Sequence, residues 1–165
     1  MKPELERALV RDFPRLFRER VRGGDTSPLA QSGIQVGDGW AMLLRRLAVR
    51  IEPMLAGTDV YCSQVKEKWG VLHVYFRSNA ASPLPPHEVE VALGDATRES
   101  ARTCEECCAP GERRTVRYRV WTLCDDCNDR EQARVREREA SRRRGRLGLV
   151  PDVAPPVPKG RKPTA

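Results

Sequence analysis

The cysteines are the residues of this 165-residue chain whose types and spacing point most directly to chemistry. Two CxxC pairs are separated by sixteen residues, Cys104 with Cys107 and Cys124 with Cys127. One CxxC turn lets two thiolates reach the same ion, and a second turn brought back by a hairpin completes a tetrahedron. Four thiolates close the coordination shell. The spacing therefore predicts one structural zinc ion (Zn2+) per chain, with no open catalytic position.

The remaining cysteines and the two histidines form no recognised catalytic pattern. No histidine lies among the zinc cysteines or in the segment after them, which argues against a ββα-metal nuclease. The zinc-deaminase signature H-x-E…P-C-x-x-C, a phosphate-binding glycine loop and GxSxG are all absent. We therefore expect no catalytic residues and no enzyme activity, although a pairing of Cys62 or Cys108 with His73 stays open.

Two cysteines lie outside the CxxC pairs. Cys62 falls in a strand-like run, where a buried small apolar side chain is expected. Cys108 directly follows the first pair, at a position where many zinc knuckles have glycine. It is a tolerated small residue, a spare ligand or an exposed thiol.

Arginines recur every four residues near the C-terminus, at Arg130, Arg134, Arg138 and Arg142. On a helix they form one stripe, which is either a solvated charged face or a binding site for phosphates. Residues 1–127 hold 19 basic and 18 acidic side chains, whereas residues 128–165 hold 11 and 5. This asymmetry favours an anionic partner for the C-terminal part, and the stripe is our candidate nucleic-acid-binding site.

A second charged cluster is Lys66-Glu67-Lys68-Trp69-Gly70, between two strand-like runs. One interpretation is a solvated turn. The other is a protein-contact loop in which Lys66, Lys68 and Trp69 meet a partner, with the indole as the aromatic anchor.

Helices and strands are predicted from the spacing of apolar residues. Residues 4–21 predict a helix that Pro14 kinks or divides, and residues 22–39 predict a loop. Asp38 is the expected N-cap of a helix over 40–55. The expected remaining elements are strands 60–66, 71–77 and 115–123, and helices 87–103 and 128–144. In the second strand Leu72, Val74 and Phe76 should face the core.

These elements predict an α+β protein with helices packed on a short antiparallel sheet. We expect a small α+β domain at 1–103 and a four-cysteine treble-clef zinc finger with a basic helix at 104–144. A disordered, basic, proline-rich tail is expected at 145–165. No apolar run is long enough to cross a membrane and no signal-peptide pattern follows Met1, so a cytoplasmic location is expected.

Three segments together resemble a group of small, largely uncharacterised phage and bacterial proteins. They are Gly37-Asp38-Gly39-Trp40, the run from Lys66 to Tyr75, and the double CxxC. The group typically reads Gly-Trp, then Lys-Glu-Lys-Phe-Gly-x-Leu-Arg-Phe-Tyr, then a cysteine knuckle pair. Here Trp69 stands at the Phe position and His73 at the Arg position. The resemblance covers residues 10–128 and implies a zinc-bearing α+β fold, without an established activity.

The C-terminal finger is also similar, more weakly, to the DksA/TraR type, in which four cysteines precede a helix. The long coiled coil of that family is missing, so its polymerase binding is not carried over. The sequence as a whole predicts a non-enzymatic zinc module that contacts nucleic acid or a nucleoprotein through its basic C-terminus. The alternative is a protein-interaction factor, such as a phage-encoded modulator of a host complex.

Overall fold

The computed structural model describes residues 1–22, 27–78 and 87–146. These ranges contain helices and two separate antiparallel hairpins, which confirms the α+β class. Of the tail predicted at 145–165, residues 147–165 lie outside the described residues, as do 23–26 and 79–86, whereas residues 145–146 are the last two residues of a helix. Within the described ranges, no helix is both long enough and apolar enough to cross a membrane.

The N-terminal segment forms two helices, α1 (Pro3–Asp12) and α2 (Arg18–Arg22), as the proline at position 14 predicted. The turn between them is held by buried Glu52, whose carboxylate accepts hydrogen bonds from the backbone N–H groups of Arg15 (2.9 Å) and Leu16 (2.8 Å). The predicted loop 22–39 is partly wrong, because α3 (Pro28–Ser32) lies within it. The Ser27 hydroxyl caps this short helix by accepting a hydrogen bond from Ala30 N.

The central helix α4 (Ala41–Ile51) is flanked by 3-10 turns at Asp38–Trp40 and Glu52–Leu55. The prediction of Asp38 as its N-cap is wrong. The Asp38 carboxylate instead accepts a hydrogen bond from the backbone N–H of Lys2 (2.7 Å) and pairs with the ammonium of the same residue (3.1 Å). Asp38 therefore connects the start of α1 to the loop before α4.

The first hairpin pairs β1 (Tyr61–Lys68) with β2 (Val71–Arg77). Its turn is shorter than the four residues, 67–70, that lie between the predicted strands 60–66 and 71–77, since only Trp69 and Gly70 separate β1 from β2. Both have positive φ, 57° and 76°, the combination that characterises a type I′ turn. Leu72 is buried, and Val74 and Phe76 pack against the core, so the predicted inward face of β2 is confirmed.

The main core lies between the N-terminal helices, α4, the hairpin and α5 (His87–Ser100). Helix α5 is three residues shorter than predicted and packs against β2. There the Thr97 hydroxyl donates to Leu72 O (3.1 Å), and Leu72 N donates to the Ser100 hydroxyl (2.9 Å). The helix therefore ends beside the hairpin, immediately before the first cysteine pair.

The C-terminal part is a second hairpin followed by a long helix. The predicted single strand 115–123 is wrong, because β3 (Glu112–Val116) and β4 (Arg119–Leu123) pair around a turn at Arg117–Tyr118. Helix α6 (Asp125–Arg146) begins before the predicted start at 128 and continues past Gly145. The earlier start includes Cys127 in the first turn of the helix.

The buried face of β2 gives a direct test of the hairpin register. Leu72 is 1% exposed, so Leu72→Ala should lower the free energy of unfolding by about 2–5 kcal/mol through lost burial and a cavity. Chemical denaturation of the purified protein measures this change. The control is Met42→Ala on α4, where the side chain is 54% exposed and the expected cost is within about 0.5 kcal/mol. Equal costs for the two variants would contradict the register.

Candidate metal centre

The two CxxC pairs meet in space. The sulfurs of Cys104, Cys107, Cys124 and Cys127 all lie within 4.8 Å of one another, and Cys107 Sγ is 3.6 Å from Cys124 Sγ. A tetrahedron with Zn–S bonds of about 2.3 Å has edges of about 3.8 Å, so this spacing suits one thiolate-bound ion. The structure thus brings together the four predicted ligands in a cluster that could hold a metal.

Local backbone geometry positions each pair of sulfurs. Cys108 N donates to Cys104 O (3.0 Å), which closes the first turn, and Asn128 N donates to Cys124 O (2.9 Å), which starts α6. Cys108 has φ 68° and is exposed, so it occupies the left-handed position where knuckles commonly have glycine. Its sulfur is not part of the cluster, which leaves Cys108 as an exposed thiol.

The four sulfurs differ in electrostatic environment. The backbone N–H of Cys127 is the main cause that lowers the pKa of Cys124 to about 7. Burial, followed by the neighbouring thiols, raises the pKa of Cys127 to about 12. Crowded thiolates need compensating positive charge. Part of it comes from Arg130, whose guanidinium donates a hydrogen bond to Cys127 Sγ at 2.8 Å.

The first cysteine turn lies directly on the glycine-rich loop before α4. Gly39 N donates to Glu105 O (2.7 Å), and Gly37 N donates to Glu105 Oε1 (2.9 Å). A Cβ atom at Gly39 would lie 2.3 Å from Cys104 O and 2.6 Å from Cys108 N. The absence of a side chain at Gly39 is therefore what allows the two backbones to touch.

Trp40 and Glu105 complete this contact. The fully buried Trp40 donates its indole N–H to Thr103 O at 2.7 Å, one residue before the first ligand. Glu105 is also buried, and burial is the main cause that raises its pKa to about 7. Sequence reasoning missed Glu105 and the contact role of the glycines. Gly37, Gly39 and Trp40 belong to the resemblance motif. The motif does not indicate that they contact residues more than sixty positions later in the chain.

The tip of the first hairpin also contacts the hairpin of β3 and β4, which lies between the two cysteine pairs. The Thr122 hydroxyl on β4 donates to Gly70 O (2.5 Å), and the Glu67 carboxylate pairs with Arg119 (3.1 Å). Glu67 also accepts a hydrogen bond from Gly70 N at 2.7 Å, so one carboxylate fixes the turn and reaches the finger. The glycine-rich loop thus contacts the first cysteine turn, and the tip of the first hairpin contacts β4, the strand that precedes the second cysteine pair.

The remaining predicted site residues lie on two other surfaces. Arg134, Arg138 and Arg142 are exposed along α6, whereas Arg130 is directed to Cys127. On the hairpin, Lys68 and Trp69 are exposed and Lys66 is half-buried. Of these residues, only Arg130 contacts the sulfur cluster.

Comparisons with protein-family models, curated proteins and solved structures found no match to this chain. We therefore infer the function from the geometry of the described residues.

Because Gly39 has only a hydrogen atom where other residues have Cβ, we expect metal binding to depend strongly on this glycine. Gly39→Ala should destabilise the fold and weaken metal affinity, because the new methyl group meets immovable backbone on several sides. Thermal melts and competition with a metallochromic chelator measure both effects. The matched control is Gly94→Ala in α5, where the nearest atom is the flexible end of Arg98 at 3.4 Å. Alanine should there be neutral or stabilise the helix by up to about 1 kcal/mol.

Proposed function

We propose that this chain is a zinc-binding, non-enzymatic module that contacts nucleic acid or a nucleoprotein through α6. The observation that carries the proposal is the exposed arginine stripe on a helix whose first turn is fixed by the metal centre. A thiolate-only ligand set suits Zn2+ with its tetrahedral preference and closed structural sites. The order of knuckle, hairpin and ligand-bearing helix supports a treble-clef finger, and we place the protein in the cytoplasm as part of the same proposal.

The stripe supports phosphate binding better than a role within the fold. Helix α6 packs on its own hairpin through Val135 and neighbouring half-buried residues, and residues 141–144 are exposed. Arg138 and Arg142 form no ion pair with any described residue, and Arg134 pairs only with Glu131, at 3.4 Å. Arginines without a buried partner remain available to an anionic backbone outside the protein.

A non-enzymatic role is supported by the chemistry of the cysteines. Four protein thiolates leave no coordination position for water or substrate. Cys62, one candidate for a Cys–His pair, is completely buried, and burial raises its pKa to about 12. A thiol in that environment is a poor nucleophile.

The second candidate function is a protein-interaction factor, for example a phage-encoded modulator of a host complex. The observation that favours it is the exposure of Trp69, 63% of whose surface is open at the tip of the first hairpin. In this case Lys66, Lys68 and Trp69 contact a host protein, and the arginine stripe is a solvated helix face. The salt dependence of nucleic-acid binding separates the two functions.

Metal binding gives the first test. We expect one zinc per purified chain by elemental analysis, and Cys104→Ser should lose it because only three thiolates remain. Cys108→Ser is the matched control and should keep zinc, since its sulfur lies outside the cluster. Removing the metal should unfold the C-terminal part, whose apolar cluster is small. A metal-free chain with this part fully folded would contradict the proposal.

Nucleic-acid binding gives the second test. Because Arg130 is bonded to Cys127, three arginines of the stripe remain for phosphates. The slope of log affinity against log salt on duplex DNA should be about −2.7. Replacing Arg134 and Arg138 together by alanine should flatten the slope by about 1.8. Titration of a labelled duplex at several salt concentrations measures both values.

The control is the double variant Arg46→Ala, Arg50→Ala. These arginines lie on α4 and pair with Glu99 and Asp95, so the variant removes the same net charge elsewhere and should leave the slope unchanged. Absence of duplex binding at low salt would make the protein-interaction function the better explanation.

A further inference from the structure

The hairpin of β1 and β2 has an outer face that the core does not use. Cross-strand pairing places Lys66 opposite His73, Lys68 opposite Val71 and Gln64 opposite Tyr75. Side chains directly opposite each other share a face of a sheet, and residues two apart along a strand do as well. We define the outer face by Lys66, Lys68, Val71, His73, Tyr75 and Arg77, with Trp69 at its tip.

The outer face carries positive charge and no negative charge. Its remaining strand positions, Tyr61 and Gln64, are uncharged, and Glu67 points to the other face, where it binds Arg119. Among the described residues, no carboxylate pairs with Lys66, Lys68 or Arg77. By contrast Arg45, Arg46 and Arg50 on α4 each have a carboxylate partner. The hairpin is therefore electrostatically complementary to a polyanion.

The same face carries aromatic rings between the cations. The rings of His73 and Tyr75 have centroids 6.1 Å apart and planes within 19° of parallel, and Lys66 Nζ lies 5.0 Å from the Tyr75 ring centre. Burial and then the two lysines lower the pKa of His73, which favours the neutral form of its ring. Tyr75 is 37% exposed and Trp69 is 63% exposed. Exposed rings alternating with basic groups are typical of surfaces on which unpaired bases stack.

The backbone conformation and the exposure of Trp69 are not explained by the stability of the fold. Its φ of 57° is a conformation that bulky side chains adopt only at a cost, and asparagine or glycine normally fills this position of the turn. The indole gains little burial in return. A large exposed ring held in an unfavourable conformation indicates a role outside the stability of the monomer.

We infer that the outer face binds a single strand of nucleic acid, with bases stacked on Trp69 and Tyr75 and phosphates beside Lys66, Lys68 and Arg77. This site lies on β1 and β2, whereas the arginine stripe lies on α6. The two sites favour different forms of nucleic acid. The stripe on α6 meets phosphates of any strand, whereas the hairpin requires bases that are free to leave a duplex. Charge complementarity together with the rings favours this occupant over a protein.

The test separates stacking from simple charge attraction. The full zinc-loaded chain is titrated with a labelled oligothymidylate of about twelve nucleotides, the matching oligouridylate, and an abasic strand with the same number of phosphates. We expect either base-bearing strand to bind more tightly than the abasic strand. Trp69→Asn and Tyr75→Thr should each weaken oligothymidylate binding by about 5- to 150-fold and leave abasic binding unchanged.

The variants are chosen so that misfolding cannot imitate the result. Asparagine suits positive φ and threonine suits a strand, so both variants should melt no lower than the parent. The control is Tyr118→Asn, which removes a ring that is 85% exposed on the other hairpin and should bind like the parent. Equal binding of base-bearing and abasic strands, or parental affinity in both ring variants, would overturn the inference. The inference would also be overturned if Trp69→Asn abolished binding to a host protein but left nucleic-acid binding at the parental level.

A final comparison distinguishes this site from the proposed function. If the Arg134, Arg138 double alanine variant shows the flattened salt slope on duplex DNA but still prefers base-bearing over abasic strands, both sites are supported. Duplex binding without that preference retains the function of α6 and overturns the hairpin site. The preference without any effect of the arginine substitutions retains the hairpin site and contradicts the role of α6.

Discussion

The backbone contact between Gly39 and the first cysteine turn is the constraint on which the other features depend. Two of the clustered cysteines follow α5, one immediately precedes α6 and one lies in its first turn, so the sulfur cluster forms only if these segments are held together. The hydrogen bond from Gly39 N to Glu105 O fixes the first turn against the α+β part, and Trp40 fixes the residue before it. The C-terminal part is therefore attached to the α+β part at the cysteine cluster, and α6 starts from a defined position.

Charge compensation around the sulfurs links the metal centre to its surroundings. Four thiolates around a divalent ion are anionic overall, and Asp125 and Asp126 lie beside the clustered cysteines in the sequence. Arg130 donates to Cys127 Sγ, and Arg114 pairs with Glu112 and Asp125. One arginine of the stripe thus belongs to the metal centre, while the rest of the stripe faces outward. The members of one periodic motif have two different surroundings because the first of them lies one turn after Cys127.

The two proposed binding surfaces follow from how the fold uses the two faces of its elements. Helix α6 packs on its hairpin with one side and leaves Arg134, Arg138 and Arg142 exposed. The first hairpin places Leu72 in the core and Tyr75 outside, because alternate residues of a strand point in opposite directions. Glu67, the acidic residue within the basic cluster, faces the finger and forms an ion pair there. This removes its charge from the face that we infer to bind nucleic acid.

The sequence by itself determined which four cysteines cluster, the α+β class and the inward face of β2, because CxxC spacing and apolar periodicity are local signals. It misjudged the strand at 115–123, since the turn there uses Arg117 at φ 59° and no glycine or proline marks it. Only the tertiary structure decided that Gly39 touches the cysteine turn, that Glu105 is buried, and that Arg130 meets a sulfur. Those contacts join residues distant in sequence or depend on where a helix begins. Side-chain type alone carries no information about either.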